Sequence, residues 1–306
     1  MEAISLRCGA LHAEVLPAAG GGLGRLDWQR GGATHALLRP WIRTDDAPPT
    51  TSQLACFPLV PWSNRIDPEG FVFEGRRIAL APNRPGEPCP IHGDGWQHPW
   101  SVAARSATGV SLLLDRRGGA RDASPFASPF SSPFSYVAHL RYALTDCALQ
   151  VTLEVTNTGP ARLPFGLGLH PWLERREGVT LRARARGTWT RDPRGLPADE
   201  IDLPPEWDFA AGRPLPPAPV DHAFCGWDGR AEVHWPDTGV SLAIEADMDY
   251  YILYAPAGRD FFCFEPVDHA VNAHNLPRGA ARNGLTTLAP GQTLSRRVVF
   301  RVRGES

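Results

Sequence analysis

Apolar and polar residues alternate with a period of two along much of this chain, the period of strands with one buried face. Residues 148–157, ALQVTLEVTN, show it most clearly, with apolar side chains at 149, 151, 153 and 155 and a Thr158-Gly159-Pro160 stop behind them. The segment from Tyr136 to Leu144 repeats the pattern, and the intervening Thr145-Asp146-Cys147 predicts an antiparallel hairpin. Shorter strands are expected at 71–73 and 77–80 around Glu74-Gly75, and at 110–114, 179–185, 231–235, 240–246, 250–254, 261–264 and 294–302. Strands this short, separated by turn residues over the full length, predict an all-β protein built as a large antiparallel β-sandwich.

Two stretches break the rhythm. Residues 123–134 read ASPFASPFSSPF, and prolines at every fourth position fit neither a ladder nor a helix. A loop with aromatic teeth is expected there, either packed locally or forming the rim of a cleft. Residues 192–220, rich in Pro and Asp, are read as a second excursion. Strand patterns on its two sides look alike, so residues 1–306 are taken as one domain.

Composition acts mainly by exclusion. The 30 glycines and 31 prolines among 306 residues argue against long helices. Net charge is −2 and the basic residues, all arginine, are scattered apart from short clusters such as Arg182, Arg184 and Arg186, so no nucleic-acid footprint is visible. Cysteines at 8, 56, 89, 147, 225 and 263 never form C-x-x-C, in a chain too large to need disulfide staples. The opening MEAISLR has neither a basic nor an apolar signal region, and no apolar run is long enough to span a membrane. The expectation is a cytoplasmic monomer or homodimer with reduced thiols, acting on a small neutral molecule rather than on nucleic acid or a membrane.

Four polar sites interrupt apolar runs. Phe57 to Ile66 delivers Asn64 and Arg65 into a bend, and Ile91 to Trp100 sets His92 and His98 among glycines and tryptophans, as a loop at a pocket mouth would. GLGLHPW, residues 166–172, ends a strand-like run on His170. In FFCFEP, alternation puts Glu265 on the face of Phe261 and Cys263, where an ionised carboxylate is costly unless paired or used. No H-E-x-x-H or Cys/His set of familiar zinc spacing is present, so no metal is expected. No G-x-S-x-G is present either, and a Walker phosphate cradle is impossible without lysine. What remains is acid–base chemistry by an imidazole and a carboxylate, with tryptophan rings for the C–H faces of a sugar and Arg, Asn and Asp for its hydroxyls.

The ordered set Asn64-Arg65-Ile66, His92-Gly93, His170-Pro171-Trp172, Asp221-His222-Ala223-Phe224 and Phe264-Glu265-Pro266 resembles the aldose 1-epimerase (galactose mutarotase) family, closest to bacterial members with a His-Pro-aromatic motif. Order and approximate spacing match over most of the chain. The resemblance implies a galactose mutarotase-like sandwich with no metal or organic cofactor and a monosaccharide on its open concave face. It implies Glu265 as general base, His170 as general acid, and Arg65, His92 and Asp221, with Asn64 beside them, as sugar-binding residues. Asp94 departs from the small residue or asparagine that many members carry after His-Gly.

The implied reaction interconverts α and β anomers by opening and reclosing the ring, which calls for Glu265 ionised and His170 protonated and hence a bell-shaped pH profile. Two other readings stay open. One is the same chemistry on a hexose 6-phosphate, which needs extra arginines at the cleft. The other is a non-catalytic carbohydrate-binding or sugar-sensing protein.

Overall fold

A computed structural model describes residues 2–43, 49–118 and 132–304. Among them, antiparallel strands assemble sheets of nine, eight and four strands, with two further two-stranded ribbons. The nine-stranded sheet contains the predicted hairpin: Tyr136–Leu144 pairs with Ala148–Asn157 in unbroken register from Tyr136 opposite Asn157 to Leu144 opposite Leu149. That register sets Leu140 against Leu153 and Tyr142 against Val151, all of them buried in the main core. Cross-strand apolar pairs of this kind fix which face turns inward, since a one-residue slip would expose the whole set.

The eight-stranded sheet lies across that core and turns a second set of side chains to its other face. Along Phe261–Val267 (FFCFEPV), Phe262 and Phe264 join the main core, whereas Phe261 and Cys263 belong to a separate small cluster with Trp172. Phe224, Tyr251 and Phe264 stack in series beneath the sheet, at centroid distances of 4.6 Å each. Neighbouring strands obey the same parity: Leu253 and Phe224 face the core, while Ile252 and Ala223 face away from it. Period-two alternation thus divides each strand into a residue set that holds the sandwich together and a set free for other work.

Several expectations change. The stretch 192–220 is not a structureless excursion: Pro197–Asp202 forms an edge of the eight-stranded sheet and Phe209–Pro214 an edge of the nine-stranded one. Both are edge strands with a proline at one end, where the missing N–H costs the ladder least. Proline also hid the end of the Phe261–Val267 strand, which continues through Pro266. The ladder beside it is itself broken there, since Gly168–Leu169 and Trp172–Glu174 are separate strands with His170 and Pro171 between them. The N-terminal strands Ile4–Cys8, Leu11–Leu16, Gly22–Arg30 and Ala33–Leu38 were not foreseen. Of the ASPF repeat only residues 132–134 fall within the described residues, and Phe134 is buried in the main core against Trp62 and Phe165.

The glycines of GLGLHPW are there because the chain passes too close to its neighbours for a side chain. A Cβ on Gly166 would lie 2.0 Å from His269 Cδ2 and 3.0 Å from Asp268 Oδ1, and one on Gly168 would lie 2.7 Å from Val267 Cγ1. The first approach matters because His269 is a clamp: its Nε2 accepts the Ser63 backbone N–H at 3.0 Å while its Nδ1 donates to the Ala270 carbonyl at 2.7 Å. Asp268 Oδ1 in turn accepts the Leu167 N–H at 2.9 Å. Gly166→Ala is therefore expected to cost roughly 1–3 kcal/mol, the usual range for overpacking, as read from a denaturant midpoint shift at unchanged slope. A midpoint equal to wild type would contradict this account of the segment.

Candidate active site

The site begins with strand register. Gly168 pairs with Val267 and Trp172 with Cys263, so His170, midway between them, stands opposite Glu265. On its other side Gly168 pairs with Leu59 and Leu169 with Pro58, and the His170 N–H donates to the Phe57 carbonyl at 2.9 Å. On Glu265's far side lies Ile252, and beyond it Ala223. One row of cross-strand neighbours therefore runs Ala223, Ile252, Glu265, His170, Phe57. Cross-strand neighbours are close enough for their side chains to touch, and these do: His170 Nε2 is 3.2 Å from Glu265 Oε1, and the imidazole stacks on Phe57 at 4.5 Å. Trp172 closes over the imidazole at 5.3 Å.

The Asn64 bend and the His92 loop meet on the same side. Asn64 and His92 both take left-handed backbone (φ 53° and 62°), and each serves the other: the Asn64 N–H donates to His92 Nδ1 and the His92 N–H to the Asn64 carbonyl, both at 3.0 Å. With Nδ1 accepting, the neutral ring carries its proton on Nε2. Its ring meets His170 edge-on at 5.3 Å. Arg65 is forked onto a carboxylate that sequence reasoning missed, with Nε and Nη2 donating to Glu87 Oε2 at 3.0 and 2.8 Å.

Asp221 sits one row further along the sheet, opposite Tyr254, which pairs with Cys263. Its carboxylate is held by Arg191, a second residue not singled out from sequence, through contacts of 3.1 and 3.3 Å. A shallow, open cleft is lined by Asn64, Arg65, Trp189, Arg191, Asp221 and Ile252 among others. Glu265 and His170 do not line it; they lie just past Ile252, with only 2% and 7% of their surface exposed. Structure thus brings all six sequence-predicted residues to one face, four near the cleft or its loop wall and two at its inner end.

The tryptophans are distributed differently from expectation. The indole N–H groups of Trp96 and Trp100 donate to the carbonyls of Gly93 and Gly95, each at 2.9 Å, and so tie down their own loop. Trp189, with no motif around it, is the indole in the cleft wall. Asp94, the departure from the family pattern, is structural: it accepts from Tyr136 Oη at 2.5 Å and lies 3.0 Å from Arg116, two residues paired across the nine-stranded sheet. His98 lies 3.7 Å from the same carboxylate. The loop carrying His92 is thereby fastened to the opposite layer.

Burial governs the protonation of the pair. It pushes Glu265 well above the ordinary carboxylate range, with Asp221 adding to the rise and Arg65 opposing it. It pushes His170 down, and the Arg84 and Arg39 charges press the same way. Both shifts disfavour charge separation, so the resting pair holds a single proton on the carboxyl side rather than existing as the ionised pair expected from sequence. The two arrangements contain the same number of protons and differ only in which atom holds the one between them. For metal ligation, the donor atoms of His170, Cys263 and Glu265 lie within 4.8 Å of one another.

The aldose 1-epimerase family profile matches residues 3–301. The Escherichia coli K12 protein YphB is 33% identical over 279 residues, 88% of this chain and 89% of its own. An E. coli K12 crystal structure, solved as a candidate aldose 1-epimerase, superposes with a TM-score of 0.87 at 30% identity over 99% of both chains. A galactose mutarotase-like protein of Clostridium acetobutylicum shares the fold with a TM-score of 0.82 at 19% identity, over 99% of this chain and 95% of its own.

Burial, followed by the neighbouring His170, Arg65 and Arg84, holds His92 well below the usual imidazole value of 6.5. Two-bond ¹H–¹⁵N spectra should therefore show His92 neutral, with Nδ1 bare and Nε2 protonated, at pH values below 6.5 where free imidazole is mostly charged. An imidazolium signature for His92 in that range would refute the assignment.

Proposed function

Because the chain belongs to the aldose 1-epimerase family, we propose that it interconverts the α and β anomers of a free hexose, with Glu265 and His170 as the base and acid. The observation that carries this reading is the 3.2 Å contact between His170 Nε2 and Glu265 Oε1 at the inner end of the cleft. The ring oxygen and the hydroxyl oxygen of a hemiacetal are bonded to one carbon and so lie closer together than a hydrogen-bond length. A pair 3.2 Å apart meets both at once, side by side, without having to enclose the sugar.

Ring opening takes a proton from the anomeric hydroxyl and gives one to the ring oxygen. A pair holding one proton always contains one acid and one base. Sugar hydroxyls and the Arg65 charge favour the carboxylate form of Glu265 and so move the shared proton to His170 Nε2. Glu265 then accepts the anomeric proton as His170 delivers its own to the ring oxygen. The C1–O5 bond breaks as the C1 carbonyl forms. Rotation about C1–C2 presents the other carbonyl face, and the same transfers run in reverse. Stacking between Phe57 and Trp172 keeps the imidazole plane fixed during both passes.

In the cleft and its loop wall, Arg65, Asp221, Asn64 and His92 are the sugar-binding residues of this proposal. The Glu87 and Arg191 partners keep the charges of Arg65 and Asp221 balanced, which suits a neutral ligand. The same pairing weighs against a 6-phosphate substrate, since both arginines lining the cleft already serve carboxylates. Retention of a contacting acid–base pair weighs against a purely binding role. Residues 1–306 are proposed to act as one domain, the pair's strands lying in the middle and the C-terminal part of the chain.

Glu265→Gln and His170→Asn should each lower kcat for anomer interconversion by roughly 10²–10⁴-fold, as measured by polarimetry on glucose and galactose, with thermal unfolding near wild type. Full activity in either variant would end the assignment. Since burial displaces His170 downward from 6.5, the acid limb of kcat/KM, which reports the free enzyme, should lie well below that value. Since Glu265 is displaced upward from 4.5, the alkaline limb should begin well above that value. An acid limb centred at or above 6.5 would contradict the shared-proton pair. Glu87→Gln should raise KM on the order of tenfold with kcat little changed, the loss expected of one charge-assisted hydrogen bond.

A further inference from the structure

Three side chains that no sequence spacing associates, His170, Cys263 and Glu265, converge through strand register. Cys263 and Glu265 are two residues apart on one strand and share a face, and His170 stands opposite Glu265 in the break between the two neighbouring strand segments. Nitrogen, sulfur and oxygen donors all lie within 4.8 Å of one another. In addition Glu265 Oε2 is buried and has no hydrogen-bond partner, an arrangement expensive enough to ask what would satisfy it. Cys263 is fully buried beside Trp172 and Phe261 and takes no part in the sugar chemistry above.

We propose that these three residues form an inhibitory site for a thiophilic divalent cation such as Zn²⁺. The donor set is one that zinc accepts: thiolate, neutral imidazole and carboxylate, with a fourth tetrahedral position left for water or a sugar hydroxyl. Zinc–ligand bonds of roughly 2.0–2.3 Å place donors somewhat closer together than they stand at rest, so side-chain adjustments of about an ångström complete the site. Thiolate and carboxylate neutralise the dication, which makes the loaded site electroneutral in a dry environment. Binding breaks the Cys263 S–H bond and removes the single proton of the Glu265–His170 pair, so about two protons pass to solvent for each ion bound. The ion occupies both the acid and the base, and ring opening stops.

The inhibition rests on the proposed anomerase function, whereas the binding does not, and the test separates them. Co²⁺ is added as a spectroscopic probe to the full chain, and Zn²⁺ binding is followed by calorimetry in buffers of different ionisation enthalpy. One equivalent of Co²⁺ should give tetrahedral visible bands with a thiolate charge-transfer band, and Zn²⁺ should release about two protons. Cys263→Ala should abolish the charge-transfer band and weaken zinc at least tenfold, since loss of an outer-shell partner alone costs about 10–100-fold. Cys263→Ser serves the same comparison should the alanine variant fold poorly. Zinc should inhibit mutarotation by the wild type, reversibly with EDTA, and should inhibit Cys263→Ala only at correspondingly higher concentration. Absence of the thiolate band, or equal zinc affinity in wild type and both variants, would overturn the site. Metal binding with these signatures in a protein devoid of mutarotase activity would leave the site standing and overturn the proposed reaction instead.

Discussion

One register builds the candidate site: Phe261–Val267 pairs with the broken strand formed by Gly168–Leu169 and Trp172–Glu174 so that His170 falls opposite Glu265. A slip of Phe261–Val267 by one residue would send Glu265 into the aromatic layer and bring Phe264 out. The register is held from several sides. Gly166 and Gly168 admit the close approach, the Asp268 carboxylate binds the Leu167 N–H, and the Phe57 carbonyl accepts the His170 N–H. The rest of the candidate site depends on that placement, because the cleft residues are useful only if the pair stands at the cleft's inner end.

Burial is the second constraint, and it explains how two titratable groups share so dry a place. A separated carboxylate and imidazolium would both have to leave water, whereas a neutral pair with one proton between them avoids most of that cost. Further out, where solvent reaches, full charges reappear and each has a counter-ion: Arg65 with Glu87, Asp221 with Arg191. The polarity of the site therefore rises from the pair toward the cleft mouth.

The loops are subordinate to the same scheme. The His92 loop reaches the site from the side, and the Asp94–Arg116–Tyr136 cluster fastens it to the nine-stranded sheet across the sandwich. Indole N–H groups that resembled sugar platforms in the sequence hold loop carbonyls instead. Residues 192–220, which the pattern left as an excursion, supply edge strands to both sheets, and the hairpin they help form carries Trp189 and Arg191 to the cleft.

The sequence by itself determined the all-β class, the central hairpin and the face on which Glu265 would lie, because a period of two is a local property written in consecutive residues. Ordered short motifs also picked out Asn64, Arg65, His92, His170, Asp221 and Glu265 as a set. Tertiary structure alone decided the partners and the charge states. Glu87 and Arg191 carry no local signal, the edge strands after Asp192 were masked by proline, and Cys263 became a neighbour of His170 through pairing between strands some ninety residues apart. Protonation follows from burial, and burial is a property of the packed sheets rather than of any stretch of chain.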